Sequence, residues 1–591
     1  MFSRIRESFA HTPRTLRLVW RSSPRGSLAL GLLTLVASLV PLLVAYAGKR
    51  IMDAVVAGSH EATLHWVLIE LAAVAAQSLG QRGLGLVRSL LGARLSIDIN
   101  TMILEKAQTL ELRHFEDAEF YDKLTKARRE ASSRPLSVVT ETFQLLQNTI
   151  TLVGYIVLLV QWSGLAVLGL IAAAVPATIA EVRFSSAAFR MRNWRSPEAR
   201  RLNYLEYVLA NDEHAKEVKL FGIGAVLLER FRTLGQTFYE DDKKLAIRRA
   251  GWAWALSLLG TGAFYGSYAL MALAAAAGRL TLGNMVLFVM AFRQGQQAFQ
   301  SILTAIGGMY EDNLYMSNLF AYLEIPIDAP LALLAAGEST DEGIVFDDVG
   351  FQYPGQKGWA LRHVSLRIAK NESLALVGHN GAGKTTFIKL LSRLYEPSEG
   401  RILLDGRDLR SWDRDALRRR IGVVFQDFNQ YQFKVRENVG LGSVDHRDDE
   451  ARIVRAVELG GATEVVKGLS GGLETQLGRW FKDGTELSGG QWQKVALARA
   501  FMREEADILV LDEPTAALDA EAEHAVFERF RKLAQQRTTI LISHRFPTVR
   551  MADRIIVLEG GEVQEEGTHD GLVAAGGRYA HLFALQAQGY L

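Results

Sequence analysis

Residues Ser373–Leu394 read "SLALVGHNGAGKTTFIKLLSRL". A short apolar run opens the stretch, as a buried strand would, and apolar residues at three-to-four spacing close it, as a helix would. Between them lies Gly378-His379-Asn380-Gly381-Ala382-Gly383-Lys384-Thr385, followed by Thr386. GxxxxGK[ST] in a strand–loop–helix setting is a phosphate cradle. The glycines let backbone N–H groups converge on phosphate oxygens, and the helix N-terminus adds its positive dipole. Lys384 is expected to reach the β- and γ-phosphates of a nucleotide, and the Thr385 hydroxyl to coordinate Mg²⁺.

Downstream, "DILVLDEP" ends an apolar, strand-like run in Asp512 and Glu513. Ligands bind beyond the carboxyl ends of parallel strands, so Asp512 is placed as the Mg²⁺-side carboxylate. Glu513 is then free to orient the attacking water as a general base, a role worth about 10²–10⁴ in rate. A second run, "TTILISH", ends in His544, suited to touch the γ-phosphate. Alone, His544 would read as structural; its place at a strand end beside the other two shifts it to the site. A second glycine turn, "LSGGQ" at Leu487–Gln491, also opens onto a helix. From Ile344 onward short β-rich runs alternate with helical ones, which predicts an α/β domain with a largely parallel sheet.

Upstream the composition is different. The 591-residue chain is too long for one compact domain, its net charge of +2 argues against nucleic-acid binding, and nearly all its long apolar runs precede residue 310. It has no cysteine, which excludes disulfides and Cys-ligated metals. That fits a reducing compartment, or a chain from which cysteines have been engineered out. Six stretches read as membrane spans: Leu28–Ala47, Thr63–Leu90, Val138–Gln161, Gly164–Ala180, Trp252–Ala277 and Leu280–Ile306. The first exceeds the apolar run of a signal peptide and is read as uncleaved. The leader Met1–Ser27 carries six Arg, Arg88–Arg134 nine basic residues and Arg183–Arg249 fourteen. The N-terminus, both long connections and the C-terminal half are therefore expected on the cytoplasmic side of a multi-pass protein of the cell's inner membrane. The long connections have helical spacing. The stretch "EIPIDAPLALLAAGESTDEG", with Pro326 and Pro330, reads as a linker. The expected domains are thus 1–323, membrane; 324–343, linker; and 344–591, ATPase.

Together these features resemble an ATP-binding cassette (ABC) transporter, specifically an exporter half-transporter: a membrane α-helical domain fused to an α/β P-loop ATPase domain. The resemblance covers essentially the entire chain. It adds Tyr353 in "FQYPG" as the adenine-stacking aromatic, Gln426 in "VVFQDF" as a contact to Mg²⁺ and water, and Asp519 in "AALDAE". It implies ATP and Mg²⁺ as cofactors, and a head-to-tail dimer in which Ser488, Gly489, Gly490 and Gln491 serve the ATP held by the partner's phosphate loop. With Glu513 and LSGGQ intact a homodimer would have two competent sites, which favours a homodimer, although a heterodimer is also compatible with an intact chain. "HFEDAEFYDKLTKA" (His114–Ala127) and Tyr207–Gly222 resemble the two coupling segments of exporters.

Two features stand apart. Exporters of this type carry a Gly-Glu-x-Gly element before the signature; here "TQLGRWFKDGTELSGG" has Arg479 in the acidic position and a loop about two residues longer. The Trp480-Phe481 pair and "GGQWQK" resemble bacterial peptide exporters, lantibiotic transporters among them, although no cysteine protease domain precedes the spans. Arg293 lies mid-span in "VMAFRQGQQAFQ", where a charge costs roughly 2.5–3.5 kcal/mol on insertion scales. With Gln294, Gln297 and Gln300 it lines either a substrate path or an interhelical hydrogen-bond cluster. The reading is an ATP-driven exporter of an amphipathic peptide, drug or lipid. An ATP-gated channel or regulatory protein is the alternative; importers keep the two parts on separate chains, and six spans exclude a soluble ATPase.

Overall fold

The computed structural model describes residues 11–117, 134–161, 195–326, 343–514, 537–543 and 545–588, with isolated positions among 118–133 and 162–194. They form two compact units, one of Met1–Leu110 with Asp117–Pro326, the other of Glu111–Glu116 with Ile327–Leu591.

In the first unit the described elements are helices: α1 (Thr12–Ser22), α2 (Pro24–Val56), α3 (His60–Thr109), α4 (Arg134–Val160), α5 (Ser196–Ala210), α6 (Asp212–Leu220), α7 (Gly224–Ala276) and α8 (Leu282–Leu323). Their starts follow local chemistry. Ser23 precedes Pro24 and accepts from the Gly26 N–H, Ser59 accepts from Ala62, and Thr281 from Asn284. At 1.5 Å per residue α3 is about 75 Å long and α7 about 80 Å, well over twice the roughly 30 Å hydrocarbon core. Each therefore has length for a span and for a long extension beyond it.

The apolar residues of these helices do not pack as in a water-soluble bundle. Tyr155, Leu159, Met271, Phe288 and Phe292 are buried together, whereas Leu28, Leu32, Leu71 and Leu79 are exposed, Leu79 by 75%. A row of exposed leucines of this extent is at home against lipid and costly against water. Thr151 donates across to the Ser38 carbonyl at 3.0 Å, one turn before the in-helix Pro41, a polar tie between α4 and α2.

Among the described residues four helices are long and apolar enough to cross a bilayer: α2, α3, α4 and α7. They carry the first, second, third and fifth expected spans. The fourth, Gly164–Ala180, lies largely outside the described residues. The sixth falls on α8, which is helical throughout but is not among those four. Arg293, Gln294, Gln296, Gln297 and Gln300 interrupt its apolar run.

The second unit holds two sheets. One is antiparallel, in the order β2-β1-β4-β5, with β1 Ile344–Phe351, β2 Leu361–Ile368, β4 Glu399–Leu404 and β5 Arg407–Asp408. The other has the order β10-β9-β3-β8-β7-β6 and comprises β3 Ser373–Val377, β6 Ile421–Val424, β7 Ile508–Asp512, β8 Thr538–Ile542, β9 Arg554–Glu559 and β10 Glu562–Gly567. Its strands are parallel except β10, which pairs antiparallel with β9. Every residue of β7 and β8 is buried, as continuous apolar strands of a covered parallel sheet must be. Helix α9 (Lys384–Leu391) packs between the sheets, with Phe387 stacked on Phe346 of β1 at a 4.2 Å ring separation.

Candidate functional site

The phosphate loop leaves β3 at Val377 and enters α9 at Lys384. Its glycines are required by geometry. Gly381 and Gly383 have φ of 84° and 101°, in the left-handed region that side chains avoid. A Cβ on Gly383 would lie 2.5 Å from the Leu361 side chain and 2.6 Å from the Ala360 carbonyl, and one on Gly378 would collide with the Leu558 carbonyl. Lys384 is buried, and its ammonium donates to the carbonyls of Gly378 at 2.7 Å and His379 at 3.0 Å. Burial pushes its pKa down, against the pull of Glu513 and Asp512. The loop's own carbonyls thus hold the cation at the mouth of the cradle.

Three other expected residues converge there, each from at or just past the carboxyl end of a parallel strand. Asp512 ends β7 and is 2% exposed; the Thr385 hydroxyl donates to it at 3.2 Å. Burial pushes the Asp512 carboxyl up to about 6, with Glu513 and Asp427 adding to the rise and the Thr385 hydroxyl and Lys384 opposing it. Burial and the neighbouring carboxylates thus penalise its charged form, a cost that a bound cation would offset. Glu513 follows with φ 49°, a left-handed conformation rare in residues with a side chain and often found where strain serves a site. Gln426, just after β6, donates its amide to the Glu513 carboxylate at 2.7 Å. The hydroxyl of Thr385, the carboxylate of Asp512 and the carboxamide of Gln426 are hard oxygen donors, a set that fits Mg²⁺. Asp519 and His544 lie outside the described residues.

Tyr353 is half-buried. Its hydroxyl lies 3.1 Å from that of Thr386, its ring stands edge-on to Phe351 and Tyr395, and the Lys389 ammonium sits 5.3 Å from its centroid. His379 meets the Arg578 guanidinium at 2.6 Å, which ties the loop to the last helix of the unit. Tyr395 and Lys389 also donate to the carboxylate of Glu116, in the short segment Glu111–Glu116 that belongs to this unit.

The signature turn stands on a helix of its own, α10 (Gly489–Phe501). The Ser488 hydroxyl accepts from the Gln491 N–H at 3.3 Å, and the Gln491 carboxamide accepts from the Ser488 N–H at 2.9 Å. This capping box closes the turn on itself, with Ser488, Gly489 and Gln491 exposed. Before it, Arg479 pairs with Glu486 at 3.3 Å, and Glu486 accepts from the indole of buried Trp492 at 3.2 Å. Trp480 is 84% exposed.

Gln493 is the functional contact the sequence reading missed. It is 2% exposed and donates from α10 to the Glu513 carbonyl at 3.3 Å, so the signature helix holds the backbone of the proposed base. A polar residue on the apolar face of a helix is the only signal it gives.

In the first unit, Arg293, Gln294 and Gln297 line a cavity of about 620 Å³ with Gln77, Gln147 and Asn148. Among the described residues no ion pair or side-chain hydrogen bond engages Arg293, Gln294 or Gln297. The cavity, rather than an interhelical hydrogen-bond cluster, is where they stand. Gln300 is exposed and outside its lining.

Comparison with known proteins places these features. A family model described as ABC transporter matches residues 361–516. The subtilin transport ATP-binding protein SpaT of Bacillus subtilis is 34% identical over 80% of this chain and 77% of its own. The nisin transport ATP-binding protein NisT of Lactococcus lactis is 29% identical over 97% of this chain and 95% of its own. The ATP-dependent lipid A-core flippase of Thiobacillus denitrificans is 33% identical over 84% of each chain. Among solved structures, a bacterial Atm1-family ABC exporter with ATP bound superposes with a TM-score of 0.79 and 26% identity, covering 95% of this chain and 98% of that one.

Proposed function

The chain belongs to the ABC transporters, in their exporter branch, and from that premise we propose that two copies of it work head to tail. The signature turn Ser488–Gln491 of each copy would cover the ATP held by the phosphate loop of the other. The chain is an ATPase whose hydrolysis is coupled to transport. The observation that carries the dimer reading is the state of the signature turn: closed on itself, exposed, and on a different helix from the phosphate loop.

At each composite site Lys384 grips the β- and γ-phosphates. Glu513 orients the attacking water and takes its proton, held in place by Gln426 on its carboxylate and by Gln493 on its carbonyl. Thr385, Asp512 and Gln426 would hold Mg²⁺, which when bound would supply positive charge to offset that of the phosphates. Asp519 and His544 belong to the same site by resemblance. Tyr353 would offer its ring to adenine.

Dimer closure would reach the spans through the coupling segments. Glu116, anchored by Tyr395 and Lys389, supports this for the first; Tyr207–Gly222, which runs from α5 through α6, is proposed as the second. We place the protein in the inner membrane with six spans, its N-terminus and ATPase unit cytoplasmic, and domains at 1–323, 324–343 and 344–591. The cargo is an amphipathic peptide with a carboxylate that meets Arg293 in the carboxamide-lined cavity. The relatives named for subtilin and nisin transport, together with the Trp480-Phe481 loop, favour a peptide over a drug or lipid.

ATP-dependent uptake of such a peptide into inverted vesicles, with Glu513→Gln as control, tests the proposal. Uptake that the control abolishes supports it. Hydrolysis with no uptake of any peptide, lipid or drug returns the gating alternative, and no hydrolysis by the chain alone removes the homodimer. Arg293→Gln should raise the KM for a carboxylate-bearing peptide about tenfold, the worth of one charge-assisted hydrogen bond.

A further inference from the structure

Helix α1 buries Thr12, Thr15 and Val19 along one face. Arg14, Arg17 and Arg21, spaced one and two turns apart, lie on another, and all three line a cavity of about 420 Å³ with Asp98 of α3 and Phe320 and Leu323 of α8. The carboxylates nearby are already engaged. Glu324 pairs with Arg14, whose guanidinium also covers the Phe320 ring at 4.3 Å. Asp98 accepts from the Ser22 hydroxyl and lies 3.4 Å from the Arg94 guanidinium. Among the described residues no ion pair or hydrogen bond takes up the guanidinium of Arg17 or Arg21. The cavity therefore offers two uncommitted cations over a floor of Met102, Leu323 and Phe320.

We propose that this cavity binds the phosphate headgroup of an anionic phospholipid from the leaflet that faces the ATPase unit. The mixed lining favours a lipid over a free phosphate ion: cations for the headgroup, apolar wall for the glycerol and first methylenes. The location favours it too. Ser23 alone separates α1 from α2, which carries the first span, and Trp20 on α1 is 49% exposed, as an interfacial anchor would be. The bound lipid would also bear on the export machinery. Asn313 of α8 accepts from the His11 N–H at 3.1 Å and donates to the Thr12 hydroxyl at 3.1 Å, so α1 is fastened to the helix that carries Arg293. The proposal rests on the membrane reading of the first unit, but its test does not depend on transport or hydrolysis.

The full chain is reconstituted in phosphatidylcholine nanodiscs with and without phosphatidylglycerol, and the lipid retained after detergent extraction is counted by native mass spectrometry. The expected result is selective retention of phosphatidylglycerol, weakened about fivefold for each arginine lost in Arg17→Gln and Arg21→Gln. The pair Arg17→Lys with Arg21→Lys should keep it, which separates charge recognition from misfolding. Equal retention of both lipids, unchanged retention in the double glutamine variant, or loss from the double lysine variant despite an unchanged melting temperature would overturn the proposal. Displacement of the lipid by millimolar inorganic phosphate would also overturn it, and would make the cavity a free-anion site.

Discussion

Two helices of the ATPase unit begin on glycine turns, and the two turns are finished in opposite ways. Helix α9 starts from Gly383 in the left-handed region, and its first residue is buried and bonded to carbonyls of its own loop. Neighbouring backbone closes on the loop so tightly that a Cβ at Gly378 or Gly383 has no room. Helix α10 starts from Ser488 with φ −67°, an ordinary N-cap whose side chain bonds only within the turn, with Gly489 exposed and Gly490 half-buried. The first turn is built around something the same chain holds. The second offers the N–H groups of Gly489 and Gly490, which no acceptor among the described residues takes up, together with the positive end of a helix dipole. The difference supports the proposal that one chain carries two half-sites, which a second copy would make whole.

The largest effect expected lies at Glu513, whose carbonyl accepts from Gln493 of α10. Glu513→Gln keeps the shape of the site but removes the proposed base, so ATP hydrolysis in nanodiscs should fall about 10²–10⁴-fold while ATP binding persists. A fall of less than tenfold would put the base elsewhere and cut the link between α10 and the chemistry.

The comparison breaks most cleanly by mixing. Lys384→Ala disables only the phosphate loop and Ser488→Arg only the signature turn, so each homodimer has two defective sites. In a head-to-tail heterodimer of the two, one site collects both defects and the other none. A random mixture should therefore recover about a quarter of wild-type hydrolysis from two nearly silent variants. If the mixture stays silent, the two turns act within one chain and the half-site account fails.

The turns should also differ in what an added methyl does to folding. Gly383→Ala places a Cβ against the Ala360 carbonyl at a φ that alanine avoids, and should cost roughly 1–3 kcal/mol in thermal or denaturant unfolding. Gly489→Ala sits at an exposed first helical position and should change stability by less than about 0.5 kcal/mol. Equal losses at both positions would mean that the signature turn is as tightly packed as the phosphate loop.

What was legible in the sequence follows the same division. Lys384, Thr385, Asp512 and Glu513 announce themselves because a few consecutive residues fix their surroundings: a buried strand, a turn, a helix start. Ser488–Gln491 is legible for the same reason, since the capping box spans four residues. Gln493 was not, because its partner is a carbonyl on a strand end that only the folded unit brings near. Glu116 was legible only through family resemblance; its bonds to Tyr395 and Lys389 join residues more than 270 positions apart. In the first unit, length and apolarity revealed the helices that meet lipid. Helix α8 obeys both solvents at once, apolar at Phe288 and Phe292 and polar at Arg293, Gln294 and Gln297, so hydropathy alone understates it.

The smallest prediction concerns what holds the far end of the signature helix. Arg452 donates to the Met502 carbonyl, just past the last turn of α10, and grips both oxygens of Glu505 at 2.8 and 2.5 Å. That hydrogen bonding pulls the Glu505 carboxyl from 4.5 down to about 2, against a smaller rise from burial. A carboxyl depressed on folding adds stability that is complete above the ordinary carboxylate range and is lost as pH falls through about 2. Because the Glu505 side chain is 62% exposed, solvent screens the pair and its worth is about 1 kcal/mol or less. Glu505→Gln should therefore lower stability by that amount at neutral pH and by nothing measurable below pH 2, where the wild-type carboxyl is itself protonated. Such a loss with hydrolysis intact would mean that the open turn needs its helix only as a platform. A fall in hydrolysis out of proportion to that loss would mean that the pitch of α10, set from its distant end, decides how the turn meets the partner's nucleotide.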